Sequence, residues 1–139
     1  YACRTKYVVT KDAISFEGMI QVKAGTTWKG ANAFGTIYAP ISFYTANTLT
    51  LTDAKGAVKT LDYPKEFDPK TCKMPAFKTL SNGEWTLAFD GAQLMNFTDR
   101  RQWNNPSSSL QVCPDGGCQW GGKVSDGTAY TWKWTLKRN

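Results

Sequence analysis

The segment that most restricts the fold runs from Thr128 to Leu136 and reads T-A-Y-T-W-K-W-T-L. Tyr130, Trp132, Trp134 and Leu136 recur at spacing two, so an extended strand puts them on one face and Thr131, Lys133 and Thr135 on the other. A face that aromatic must be covered, and covering it takes further strands or a second sheet. Upstream, Leu110–Cys113 and Cys118–Trp120 flank Pro114-Asp115-Gly116-Gly117, a run of turn formers that predicts a hairpin. Ser125-Asp126-Gly127 predicts the turn into the final strand.

The rest of the chain repeats this grammar. Tyr7–Thr10 reads as a short strand, and Ala13–Val22 alternates through Ile14, Phe16, Ile20 and Val22 across Gly18, where a bulge or bend is expected. Phe34–Phe43 reads as a strand interrupted at Pro40. Thr48–Thr52 and Ala57–Leu61 form a hairpin around Asp53–Gly56, and the proline-bearing segment Tyr63–Pro75 crosses between sheets. After a turn at Ser81–Glu84, the strand Trp85–Phe89 places Trp85, Leu87 and Phe89 on one face, and Gln93–Phe97 continues as a strand or short helix. No stretch sustains a helical period. The expectation is one all-β domain over residues 1–139, an antiparallel β-sandwich or barrel of about eight to ten short strands.

Four cysteines (Cys3, Cys72, Cys113 and Cys118) in a chain of this size predict two disulfides and an oxidising, extracellular location. Pairing Cys113 with Cys118 would staple the predicted hairpin and leave Cys3 for Cys72; a competing pairing ties Cys3 to the C-terminal strands. With no histidine and no C-x2-C spacing, no metal is expected, and no other cofactor. Asn96-Phe97-Thr98 is a glycosylation sequon, which agrees with secretion. The start at Tyr1, without an initiating Met or apolar leader, reads as a mature form after cleavage, and a longer chain cut at this point would read the same. No apolar run approaches the roughly 18 residues of a spanning helix, so no membrane span is expected.

The net charge is +6, but the cations are scattered singly apart from Arg100-Arg101 and Lys137-Arg138. That pattern predicts no nucleic-acid partner and leaves an anionic partner open. The absence of histidine excludes Ser-His-Asp and Cys-His nucleophile systems. A carboxylate pair remains as a catalytic option. Most Asp residues fall in predicted turns, whereas Glu17 and Glu84 sit in or beside strands.

Trp85, Trp132 and Trp134 lie on strand faces and are expected in the core. Trp28, Trp103 and Trp120 fall in polar, glycine-rich or turn-rich segments, with Lys29, Arg100 and Arg101 beside them. Large rigid rings and guanidinium groups in loops are the side chains that carry binding energy, so these six are the candidate binding residues. A monomer is expected.

A basic, histidine-free, β-rich chain with four cysteines and an early Tyr1-Ala2-Cys3 resembles small secreted fungal effectors and toxins. Tyr1-Ala2-Cys3 is similar to the Y-x-C near the mature N-terminus of powdery-mildew effector candidates. Those proteins resemble a compact ribonuclease fold with one prominent helix, which this chain lacks, so only the broad class carries over. The resemblance implies non-enzymatic binding of a host or competitor target, with a host protein receptor or a cell-surface glycan as partner. The alternative is a carbohydrate-binding module or a small carboxylate-based carbohydrate-active enzyme.

Overall fold

The computed structural model describes residues 2–21, 24, 31–32, 37–45, 48–63, 65–68, 76–90, 94–103, 109–114, 119–120 and 129–139. Alternating segments become strands: β1 (Ala2–Val9), β2 (Ala13–Gln21), β3 (Ala31–Asn32), β4 (Ile37–Pro40), β5 (Thr48–Thr52), β6 (Val58–Asp62), β7 (Thr79–Ser81), β8 (Trp85–Phe89), β9 (Met95–Asp99), β10 (Ser109–Pro114), β11 (Gln119–Trp120) and β12 (Ala129–Arg138). The one α-helix among the described residues, α1 (Ile41–Thr45), is five residues long, and a 3-10 turn covers Arg100–Trp103. All described strand pairs are antiparallel, as the sequence predicts for an all-β domain.

A seven-stranded sheet runs in the order β1-β2-β12-β8-β7-β5-β6, and among the described residues β1 and β6 at its two ends do not pair with each other or with a further strand, so it stays open. A three-stranded sheet, β4-β10-β9, shares its core, and β11 with β3 makes a third, two-stranded sheet. Phe16, Ile20, Leu49, Leu51, Leu80, Leu87, Phe89, Trp132 and Trp134 line the large sheet's inner face. Ala39, Met95, Leu110 and Val112 from the smaller sheet and Tyr44 from α1 complete the same cluster. This is the sandwich alternative of the two architectures expected.

β12 sits in the interior of the large sheet, between β2 and β8. Its register sets Trp134 opposite Phe16 and Trp132 opposite Gly18. Phe16 and Trp134 stack at 5.3 Å between centroids with 16° between planes. Trp132 and Trp134 are buried as expected, while Trp85 is only partly covered, beneath the Arg138 guanidinium at 6.0 Å. The tight turns match the sequence signals. The Asp53 carboxylate accepts from the backbone N–H of Lys55 and Ala57, and Gly56 takes φ 84°. The Asn82 side chain accepts from the N–H of Glu84 and Trp85, and Gly83 takes φ 90°.

The break expected at Pro40 is there: β4 ends at Pro40, on the edge of its sheet, and the chain turns into α1. Three expectations are corrected. β2 runs unbroken through Gly18 with neither bulge nor bend; the glycine makes room for an indole instead. Among the described residues, β10 and β11 do not pair as the arms of the predicted hairpin around Pro114–Gly117. β10 already has β4 and β9 on its two edges, so β11 pairs with β3. Finally, Cys3 is a free, exposed thiol and not half of a disulfide. It lies on edge strand β1, every residue of which is exposed. Cys72, Cys118 and the side chain of Cys113 lie outside the described residues, as do Gly121–Thr128.

Candidate functional site

The end of β9 and the turn that follows hold three of the six candidate residues, Arg100, Arg101 and Trp103. Strand alternation distributes them. Asp99 lies opposite Leu110, which lies opposite Ala39, and this row faces the core. Tyr38 and Gln111 belong to the adjacent row, and Tyr38 is 55% exposed on the outer face. Arg100 follows Asp99 and projects outward, its guanidinium carbon 5.1 Å above the centre of the Tyr38 ring. A cation over an exposed aromatic face at this distance is an attractive pair of about 0.5–1 kcal/mol.

Arg101 turns back inward. Its guanidinium grips the Asp99 carboxylate, with Nε at 3.0 Å from Oδ1 and 2.9 Å from Oδ2, and NH2 at 2.6 Å from Oδ2. The Arg101 backbone N–H donates to Oδ1 at 2.9 Å, and the Tyr63 hydroxyl donates to Oδ2 at 2.9 Å. The third guanidinium nitrogen, NH1, donates to the Lys65 carbonyl. The same guanidinium lies 5.8 Å from the Tyr44 ring centre and 5.7 Å from that of Tyr63. Side-chain exposure is 10% for Arg101 and 1% for Asp99. Burial by itself would raise the Asp99 pKa. The hydrogen bonds from the Arg101 side chain and backbone and from Tyr63 outweigh it and hold the carboxyl below its ordinary 3.8. The Asp99 hydrogen bond likewise raises the pKa of Arg101.

Arg101 is thus committed to an internal ion pair, and what it does is fix the turn from which Arg100 reaches Tyr38. Tyr38, Asp99, Tyr44 and Tyr63 were not singled out from the sequence. Tyr38 had a signal, an aromatic beside Pro40 in an edge-type strand. The partnership of Asp99 with Arg101 and Tyr63 had none, because Tyr63 is 36 residues away from Asp99. The Trp103 side chain lies outside the described residues, as do Trp28 and Lys29. The backbone of Trp120 pairs with Ala31 in the two-stranded sheet, and no described strand pairing joins that sheet to the Arg100 turn.

The two carboxylates considered for catalysis are apart. Glu17 lies opposite Lys133 and bridges it at 3.2 Å, while Glu84 bridges Arg138 at 3.2 Å. Five residues of extended β12 separate these two cations, about 17 Å at ~3.4 Å per residue. Paired glycosidase carboxyls stand roughly 5–9.5 Å apart, so Glu17 and Glu84 do not form such a pair. Two shallow hollows of about 160 Å³ each lie beside Glu17 on the outer face, rimmed by Arg4, Lys6, Thr131 and Lys133. Ordinary small-molecule pockets begin near roughly 300 Å³. Among the described residues, no cluster of three or more His, Cys, Asp or Glu could hold a metal ion, and no helix is long and apolar enough to cross a membrane.

No protein-family model and no curated protein matches the chain. Among solved structures, one provisionally described as an aldose 1-epimerase from Escherichia coli K12 is similar at a TM-score of 0.41 and 13% identity. The likeness covers 100% of this chain and 61% of that one, so the chain spans less than two thirds of that protein's length. A likeness of this size carries nothing about chemistry.

Proposed function

We propose that this protein is a secreted, non-enzymatic binding protein of the kind that small fungal effectors and toxins represent, and that it engages a host or competitor target through the outer face around Tyr38 and Arg100. The observation that carries the reading is the exposed Tyr38–Arg100 pair, held from beneath by the buried Asp99–Arg101 bridge. Tyrosine and arginine are the residue types that dominate interface energies, and a preorganised pair loses little side-chain entropy on binding. The net charge of +6 favours a target that presents anionic groups. The exposed Tyr38 ring also suits stacking on a sugar, which keeps the carbohydrate-binding module as the second reading.

The deciding experiment delivers the protein to host tissue and, in parallel, sediments it with insoluble cell-wall polysaccharides. The binding-effector reading expects a tissue response that Tyr38→Ala with Arg100→Ala removes, and no retention on polysaccharide. The sugar-module reading expects retention that Tyr38→Ala abolishes. A folded double variant that matches wild type in both assays overturns the assignment of the site.

A further inference from the structure

β1 is an edge strand whose exposure needs an account. Among the described strands it pairs only with β2, and all eight of its residues are exposed. Cys3, Thr5, Tyr7 and Val9 stand opposite Ile20, Gly18, Phe16 and Ile14, on the face that is buried one strand further in. Phe16 and Ile20 are covered there, yet Tyr7 remains 59% and Val9 71% exposed, and Val8 on the other face 47%. Protein edges are normally blunted by charge, proline or a bulge. Arg4 and Lys6 charge β1 ahead of Tyr7, but Tyr7-Val8-Val9 carries none of these devices.

The hairpin fixes which backbone groups the edge offers. The Thr10 N–H donates to the Ala13 carbonyl at 2.8 Å, so Thr10 and Ala13 form a hydrogen-bonded pair. By alternation Val8, Lys6 and Arg4 also bond to β2, and the N–H and C=O groups of Cys3, Thr5, Tyr7 and Val9 point to the open edge.

We propose that β1 pairs antiparallel with β1 of a second copy of this chain, about a two-fold axis through Tyr7, joining the two large sheets into one. The inner faces of both copies stay on one side only if the axis passes through a residue. Centred on Lys6, the register sets Lys6 against its own copy, and centred on Thr5 it sets Arg4 against Lys6. Like charges directly opposite are destabilising. Centred on Val8, only residues 7–9 of the strand overlap. Centred on Tyr7, Thr5 faces Val9, Tyr7 faces Tyr7 and Lys6 faces Val8, with no cation opposite another. The outward-pointing groups of Thr5, Tyr7 and Val9 then make about six backbone hydrogen bonds, and the uncharged apolar end of the edge is covered. This assigns a dimer where a monomer is expected from the sequence.

The test is sedimentation equilibrium of the full chain across a wide concentration range, with folding of each variant checked by circular dichroism. Wild type is expected to dimerise. Val9→Pro deletes an N–H that β2 does not use, a change tolerated on an edge, and is expected to raise the dimer Kd at least about tenfold. Tyr7→Lys, which sets two cations against each other at the axis, is expected to do the same. In a Cys3→Ser background, Thr5→Cys with Val9→Cys is expected to give a disulfide-linked dimer. Residues in a hydrogen-bonded pair sit about 5.5 Å apart at Cα, within disulfide reach. A wild type that stays monomeric throughout overturns the proposal. So does a dimer that both edge variants leave intact and that fails to cross-link.

Discussion

The indole of Trp132 lies directly over Gly18 on the neighbouring strand. A Cβ at position 18 would stand 2.5 Å from Cζ2 and 2.6 Å from Cε2 of that ring, and 2.9 Å from Cε1 of Phe16. Glycine is therefore the residue that lets the sheet's largest side chain pack flat against the backbone beside it, at the junction of β2 with β12.

Gly18→Ala is expected to destabilise the fold by about 1–3 kcal/mol through overpacking, more than the roughly 0.5–1 kcal/mol that removing a strand glycine returns. Urea denaturation followed by tryptophan fluorescence measures this. Unchanged stability would mean that the indole does not depend on the space.

Removing the Asp99 charge leaves a nearly buried guanidinium unpaired. Asp99→Asn should lower stability by about 3–5 kcal/mol at neutral pH. Because the folded-state pKa lies below the ordinary 3.8, the carboxylate's contribution is present above the unfolded value and disappears as pH falls through the folded one. Wild type should lose more stability than Asp99→Asn between neutral pH and pH values below about 3.8. Parallel acid dependence in the two proteins would show that the pair does not stabilise the fold.

Adjacent arginines should behave differently. Arg101→Ala, which strands the Asp99 carboxylate, should destabilise by a few kcal/mol, on the order of 3. Arg100→Ala touches only the surface pair with Tyr38 and should stay within about 1 kcal/mol of wild type, while losing target binding. Denaturant melts of the two variants side by side give the contrast, and equal losses would contradict the inward and outward assignment.

Cys3, as a free and exposed thiol, should react with iodoacetamide in the native protein without reductant. Intact mass followed by peptide mapping reads this directly. Failure of Cys3 to label until reductant is added would show that it is disulfide-bonded after all.

The exposed carboxylates Glu17 and Glu84 should be dispensable for stability. Glu17→Gln and Glu84→Gln each remove a solvent-exposed bridge and should change stability by no more than about 1 kcal/mol. If either change abolished a measured turnover of cell-wall polysaccharide, the non-enzymatic reading would fail.

Much of the local architecture is written in the sequence, because it depends on neighbours in the chain. Period-two alternation at Thr48–Thr52, Trp85–Phe89 and Ala129–Arg138 dictates strands with one buried face, and Asp53 and Asn82 cap turns with their own side chains. These are short-range facts of sterics and hydrogen bonding. The all-β class follows from them, as does the burial of Trp132 and Trp134.

Only the tertiary structure decided which strands meet. β10 and β11 lie close in sequence and look like the arms of a hairpin, yet β10 pairs with β4 and β9 instead. Pairing between distant strands depends on covering both edges and filling a common core, and alternation along a single strand carries no record of its partner. The same reason hid the Asp99–Arg101–Tyr63 network, in which Tyr63 comes from a segment 36 residues away. It also separated two neighbouring arginines into one that anchors the turn and one that faces outward. The role of Gly18 was equally out of reach, since the ring that fills its missing side chain comes from the far end of the chain.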